Sequence, residues 1–255
     1  MKRQHQDKVA IISGGLGDIG RATAKALAVA GADIAICDIL PEEEAREWVW
    51  ELEKLDVQAK YNRVDIAQVD QVHAWLNEVE AKLGLPSIII SNAGIATLGG
   101  IHEIMPAQWD REIQINLNGS FYMTQDATRR MVASNLSGRV VFVGSWAAHA
   151  VHQNLPAYCV SKAGVRMLCQ CMALELAPYQ ILVNEIAPGF VDAGLSGRIW
   201  ADHPSLKEEA VAKVPIGNVM SADAVARQIL QLCHPDNDQM TGSTILMDGG
   251  LSLLK

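Results

Sequence analysis

Near the start of the chain stands Val9-Ala10-Ile11-Ile12-Ser13-Gly14-Gly15-Leu16-Gly17-Asp18-Ile19-Gly20: an apolar run of strand length, a glycine-rich turn, then an Ala-rich stretch over residues 19–30 with helical character. Read literally, Gly15, Gly17 and Gly20 satisfy G-x-G-x-x-G. Such glycines permit a tight turn and let backbone N–H groups approach a pyrophosphate at a helix N-terminus. A ligand-free glycine turn has the same appearance, so the second strand must decide between them. Asp33-Ile34-Ala35-Ile36-Cys37 reads as that strand, and Asp38 ends it. An acid at that point hydrogen-bonds the adenosine ribose hydroxyls of a dinucleotide, and its charge repels a 2′-phosphate. Ile39 comes next, where Arg or Lys would accompany that phosphate, so NAD is expected in preference to NADP.

Outward from this unit the alternation continues. Pro41-Glu42-Glu43-Glu44 opens a helix, with Pro and acids placed as a first turn favours. A third strand is expected over 57–61, a helix over 69–83 closed by Gly84 and Pro86, and a fourth strand over 87–90. Helix 107–134 with strand 139–143, helix 157–176 with strand 181–186, helix 222–232 and strand 244–247 complete the series. Nearly continuous apolar strands separated by helices imply an α/β, doubly wound parallel sheet of Rossmann type, covered on both faces. With no linker or repeat in view, residues 1–255 read as a single dinucleotide-binding and catalytic domain. One long stretch, 189–217, breaks the rhythm. Connections of that length are usually lids or binding loops, and Leu195, Ile199, Trp200 and Leu206 give it an apolar face.

Composition narrows the function classes. The 255 residues are 49% hydrophobic, and 21 Lys+Arg against 29 Asp+Glu leave a net charge of -8, the wrong sign for a phosphate-backbone binder. No nucleic acid is expected as partner. No apolar run reaches membrane-helix length, and the apolar stretch after the basic start is too short for a secretory signal, so no membrane association and a cytoplasmic location are expected. Cys37, Cys159, Cys169, Cys171 and Cys233 are odd in number, lack a CxxC, and read as buried reduced thiols.

A second constellation is Tyr158-Cys159-Val160-Ser161-Lys162. Positions i and i+4 share a helix face, so phenol and ammonium look into one site, and a nearby cation lowers a phenol's pKa toward a useful general base. A surface pair has the same spacing. Ser145, 13 residues earlier and just past the strand, supplies the support.

At this point the sequence resembles the short-chain dehydrogenase/reductase family, from about Lys8 to Gly250. The likeness includes Asp65, Ser91-Asn92-Ala93-Gly94, Asn116, Pro188-Gly189 and Asp248-Gly249-Gly250, in the family's order. The resemblance implies that Ser145 hydrogen-bonds the reacting oxygen and that Tyr158 exchanges its proton. It further implies that Lys162 holds the nicotinamide ribose and tunes Tyr158, while Asn116 anchors a water leading protons out. Asp65, with Ile66, would lie at the adenine, Asn92, Ala93 and Gly94 along the nicotinamide side, and Pro188, Gly189 and Val191 near the carboxamide. The family's nucleotide motif falls on Ser13, Gly14, Asp18, Ile19 and Gly20, so Asp18 stands where the family has glycine beside the pyrophosphate. Ser91 replaces an Asn, and Ala193 a customary Thr.

Trp146, His149, His152, Gln153 and Asn154, with Arg198, Trp200 and His203 of the long segment, are candidates for a substrate-facing surface; a surface or packing role is the alternative for each. No metal site is expected, since these histidines lack an accompanying acid pattern. The expected activity is NAD(H)-dependent interconversion of a secondary alcohol (a small polyol, sugar or cyclic alcohol) and its ketone. The rivals are an NADPH-linked 3-oxoacyl carrier protein reductase and a non-catalytic NAD-binding sensor or scaffold. A homotetramer is implied by the resemblance alone.

Overall fold

The computed structural model describes residues 3–254 except 195, 198, 199 and 201–203. Seven strands form one parallel sheet: β1 (Val9–Ser13), β2 (Asp33–Asp38), β3 (Ala59–Arg63), β4 (Ile88–Ser91), β5 (Gly138–Val143), β6 (Ile181–Pro188) and β7 (Thr244–Met247), in spatial order β3-β2-β1-β4-β5-β6-β7. This is the doubly wound order with one strand added at the end. The order reverses between β1 and β4, whose register sets Ala10 beside Ile88 and Ile12 beside Ile90. The crevice above that reversal is where such sheets bind ligands.

Strand alternation sorts the core into two layers. Ile11, Ile89, Val140, Phe142 and Val183 face the helices α3 (Val69–Leu83), α5 (Ser120–Ala133) and α6 (Pro156–Leu176). Ile12, Ile34, Ile36, Ile90 and Val141 face α1 (Asp18–Val29), α2 (Arg46–Glu53) and α8 (Ala222–Cys233). Because both faces are covered, β1 and β6 are buried at every residue, and their apolar runs are continuous rather than alternating. Each fully buried Leu or Ile contributes about 1.5–3 kcal/mol.

Four local expectations shift. β3 begins two residues later than expected, because its backbone pairs Ala59 with Ile34 and leaves Val57 ahead of the sheet. Glu42–Glu44 forms a single 3₁₀ turn, and the α-helix starts only at Arg46. The long fifth helical stretch is divided into α4 (Pro106–Ile113) and α5 by a π-helical turn at Gln114–Gly119, with Gly119 tight against Ile66. Residues 189–217 are not a bare loop: they include α7 (Pro204–Lys213), and Val191 bridges to Met220. Of the thiols, Cys37, Cys169 and Cys233 are buried, but Cys171 is exposed on the opposite side of α6 from Cys169. Trp75 is core, whereas Trp50 lies on the surface under Lys54 and Trp48 carries the Arg21 guanidinium.

Between α3 and α5, Asp126 accepts hydrogen bonds from Arg129 at 2.5 Å and Arg130 at 3.1 Å, and pairs with His73 at 2.9 Å. Burial alone would raise this carboxyl's pKa, but the Arg130, His73 and Arg129 bonds outweigh it and hold the value at about 2. A depressed acid pKa stabilises the fold fully above the unfolded value near 3.8 and loses that contribution as pH falls through about 2. Asp126→Asn is therefore expected to remove about 2 kcal/mol at neutral pH, with the deficit shrinking toward pH 2. Denaturant midpoints recorded across that range check this; a deficit independent of pH would contradict it.

Candidate active site

A cavity of about 420 Å³ opens at the C-terminal ends of β1, β2, β4, β5 and β6. The glycine turn makes its floor. Gly14 has φ of +65°, and a Cβ there would sit 2.9 Å from the Ala93 Cα, so only glycine lets β1 and β4 come this close at the switch point. Gly20 lies inside α1 so near the Gly14 carbonyl that any Cβ would collide with it. The literal G-x-G-x-x-G reading needs correction at one position: Gly17 has ordinary φ of -73° and room for a Cβ, while the turn depends on Gly14 as well as on Gly15, where a Cβ would collide with Ile36, and Gly20. Ser13 and Asn92 tie the two strand ends together. The Ser13 hydroxyl accepts from the Asn92 and Ala93 N–H groups, and the Asn92 amide donates to the Ser13 and Gly14 carbonyls at 3.0 Å each.

Asp38 stands at the end of β2 with its carboxylate fixed from both sides, Oδ2 accepting from Leu16 N at 3.2 Å and Oδ1 from Ile39 N at 2.8 Å. The acid thus joins the glycine turn to the second strand and stays at the cavity wall. Asp18, the carboxylate expected near a pyrophosphate, lines the cavity with its charge engaged: its Oδ2 accepts from Gly194 N at 2.6 Å, linking the start of α1 to the segment after β6.

Across the cavity are Ser145, after β5, and Tyr158 and Lys162, on α6, where Pro156 in the first turn starts the helix. Tyr158 is hydrogen-bonded to Ser145, and the Ser145 Oγ also accepts from Ala147 N at 3.1 Å. The Lys162 Nζ donates to the Val143 carbonyl at 2.8 Å and lies 5.7 Å from the centre of the Tyr158 ring. The i, i+4 spacing therefore delivers both groups to one wall. Its expected consequence does not hold in this geometry: burial raises the Tyr158 pKa, and the lowering contribution comes from Ser145 rather than from the lysine. Burial also depresses Lys162, to about 8, against the opposing field of Glu185.

Asn116 is buried in the π turn, behind the cavity wall. Its Oδ1 accepts from Ile95 N at 2.8 Å, and its Nδ2 donates to Ile95 O at 2.9 Å and Ser161 Oγ at 3.0 Å. With its side chain committed in this way, it fixes the segment running from Gly94 beneath Lys162.

Of the remaining cofactor candidates, Ile19, Ile39, Asp65, Ile66, Ala93, Gly94, Pro188, Gly189 and Val191 line the cavity. Ser13 and Gly20 shape it without lining it. Ala193, at the family's customary Thr position, lines it too, as do Leu16, Gly144, Gly194 and Ser196, which no sequence pattern marks as site residues. The substrate-facing candidates are placed differently. Trp146 and Trp200 are buried and form, with His152 and Phe190, an edge-to-face aromatic cluster with ring centres 5.6–6.3 Å apart. Neither these side chains nor His149 and Gln153 reach the cavity wall. Trp200, a candidate for the substrate-facing surface, is buried with its ring edge-to-face against Phe190, the packing alternative. Leu195, Arg198, Ile199 and His203 lie outside the described residues. Among the described residues no group of three His, Cys, Asp or Glu side chains converges as a metal site, and no helix is long and apolar enough to cross a membrane.

A nicotinamide dinucleotide fits what is present: side-chain-free backbone at Gly14 and Gly94, a fixed acid at Asp38 and an ammonium at Lys162 along one continuous cavity. The fold and this wall define a dinucleotide-dependent oxidoreductase. A family model described as enoyl-(acyl carrier protein) reductase matches residues 15–252. An NAD-dependent glycerol dehydrogenase of Listeria innocua is 30% identical over 97% of this chain and 94% of its own length. A cis-4-hydroxycyclohexanecarboxylate dehydrogenase of Sinomonas cyclohexanicum is 32% identical over 96% of both chains. Among solved structures, a gluconate 5-dehydrogenase from Burkholderia cenocepacia, in complex with NADP and tartrate, superimposes with a TM-score of 0.91 at 28% identity, covering 99% of this chain and 98% of that one. The chain belongs to the short-chain dehydrogenase/reductase family.

Proposed function

We propose that this protein is an NAD(H)-dependent dehydrogenase interconverting a small secondary alcohol (a polyol, sugar or cyclic alcohol) and its ketone. The observation that carries the reading is the convergence of Ser145, Tyr158 and Lys162 on one wall of the cavity that Asp38 bounds at its other end. Ser145 orients the substrate oxygen; Tyr158 takes its proton during oxidation and returns it during reduction. Lys162 binds the nicotinamide ribose, and Asn116 holds the backbone beside it. When bound, the nicotinamide ring accepts or donates the hydride.

Relatives named for glycerol, butanediol and cyclohexanecarboxylate substrates support the alcohol class. Residues 1–255 act in this reading as one domain, with 189–217 bounding the substrate side. A homo-oligomer, a tetramer as the family resemblance implies, is part of the same reading: Val160, Met167 and Leu174 recur at seven-residue spacing on α6 and are all exposed, Leu174 by 80%, an apolar stripe suited to a second copy. A cytoplasmic setting, in which the five thiols stay reduced, completes it.

The test is kinetic. With polyols, sugars and secondary alcohols as substrates, kcat/KM with NAD is expected to exceed that with NADP by at least about tenfold, equivalent to about 1.4 kcal/mol. Asp38→Ala should erode that ratio. Equal efficiency with both cofactors would remove the NAD assignment and favour the NADPH-linked 3-oxoacyl carrier protein reductase.

A further inference from the structure

β6 runs Ile181-Leu182-Val183-Asn184-Glu185-Ile186-Ala187-Pro188 and is buried throughout, yet it carries an acid at its centre. Glu185 is wholly buried. Its Oε2 accepts from Thr244 Oγ1 at 2.6 Å, while no hydrogen-bond donor among the described residues meets Oε1. That free oxygen lies against Gly144, so close that a Cβ on Gly144 would collide with it. The preceding residue, Val143, is the one whose carbonyl receives the Lys162 ammonium. Acid and ammonium thus meet the chain at consecutive residues at the end of β5, directly before Ser145. An isolated buried carboxylate is costly, and a buried ammonium is costly too; placed together they offset one another.

We propose that Glu185 is a positioning residue for the reaction, its buried carboxylate serving as the counter-charge that keeps Lys162 an ammonium. The proposal rests on the dehydrogenase reading above, in which that ammonium holds the cofactor ribose beside Tyr158. Gly144 is the steric condition for it, since any side chain there would displace the carboxylate. Among the described residues, the groups facing the pair are few. From α6 come Tyr158, Arg166 and Cys169; from β7 comes Thr244; and Glu112 of α4, also wholly buried, faces Tyr158 rather than the lysine. Burial holds the Glu185 pKa above the ordinary carboxylate value, with Thr244, Lys162 and Arg166 offsetting only part of the rise; burial depresses Lys162 to about 8, and Glu185 opposes that fall.

Removing the carboxylate leaves the ammonium less stabilised, so Lys162 gives up its proton at lower pH. NADH affinity is followed by fluorescence from pH 6 to 10, a measurement that requires no turnover. In the parent, affinity is expected to weaken above about pH 8, and Lys162→Ala should abolish that limb. Glu185→Gln, which preserves shape, should move the limb down by roughly one pH unit, with the alkaline limb of kcat for alcohol oxidation moving alongside. Thr244→Val, which removes the donor to Oε2, should shift it in the same direction by less, and decides the matter if Glu185→Gln does not fold. A limb that stays in place in the folded variants, or that survives in Lys162→Ala, overturns the proposal. A limb that moves in a protein oxidising no secondary alcohol would instead overturn the substrate reading and leave the Glu185–Lys162 coupling standing.

Discussion

Tyr158→Phe is expected to lower turnover by about 10²–10⁴ while NADH still binds within a few-fold of the parent. The substitution removes one oxygen and keeps the ring, so the buried face of α6 is undisturbed and the loss is confined to proton exchange. Burial raises the phenol's pKa in this structure and the Ser145 hydrogen bond works against it. Ser145→Ala should therefore do more than loosen the substrate: it should raise the Tyr158 pKa further and displace the acid limb of the oxidation profile to higher pH. Steady-state kinetics with a turned-over alcohol, together with fluorescence titration of NADH, check both. Retention of most activity in Tyr158→Phe would exclude Tyr158 as the acid/base, whatever the fate of binding.

Gly20→Ala should abolish cofactor binding, with a fall of at least about 10²-fold, and destabilise the fold by about 1–3 kcal/mol. The added methyl would strike the Gly14 carbonyl and come within 2.9 Å of the Gly15 Cα and 3.0 Å of the Gly14 carbonyl carbon. Every one of these is backbone. No rotamer change relieves the clash, so α1 must lift from β1 and carry with it the N–H groups of the glycine turn. Gly17→Ala is the matched control, because the nearest atom to its Cβ would be the Gly14 oxygen at 3.4 Å and its φ suits any residue. It should bind NADH within a few-fold of the parent. Equal losses at both glycines would show that the turn needs flexibility throughout rather than a close approach at Gly20.

The two glycines also show how far local sequence carries. The motif pattern includes Gly17, which the turn does not require, and a literal reading misses Gly14, whose positive φ and proximity to Ala93 arise only once β4 lies beside β1. The spacing from Tyr158 to Lys162 predicts a shared helix face, and they share one. The electrostatic result of that neighbourhood depends on burial and on Val143, neither of which belongs to the helix. The division of the long helix into α4 and α5 has a similar origin: Asn116 spends its side chain on Ile95, 21 residues away, and Gly119 is pressed against Ile66. In the sequence Trp146, His152 and Trp200 look equally available for a substrate; in the fold their rings gather in one aromatic cluster around Phe190.

By itself, the sequence determined the alternation of strands and helices, the acid ending β2, and the order Ser145, Tyr158, Lys162. These are set by periodicity, turn residues and spacing within short stretches of chain. Tertiary structure alone decided which carboxylates serve the site. Asp18 is engaged by the N–H of Gly194, 176 residues away in the chain, at the wall of the cavity. Glu185 is buried beneath Gly144 because parallel pairing of β5 with β6 sets Phe142 beside it. A charge acquires its role from the dielectric and the partners around it, and those are properties of chain segments brought together only by folding.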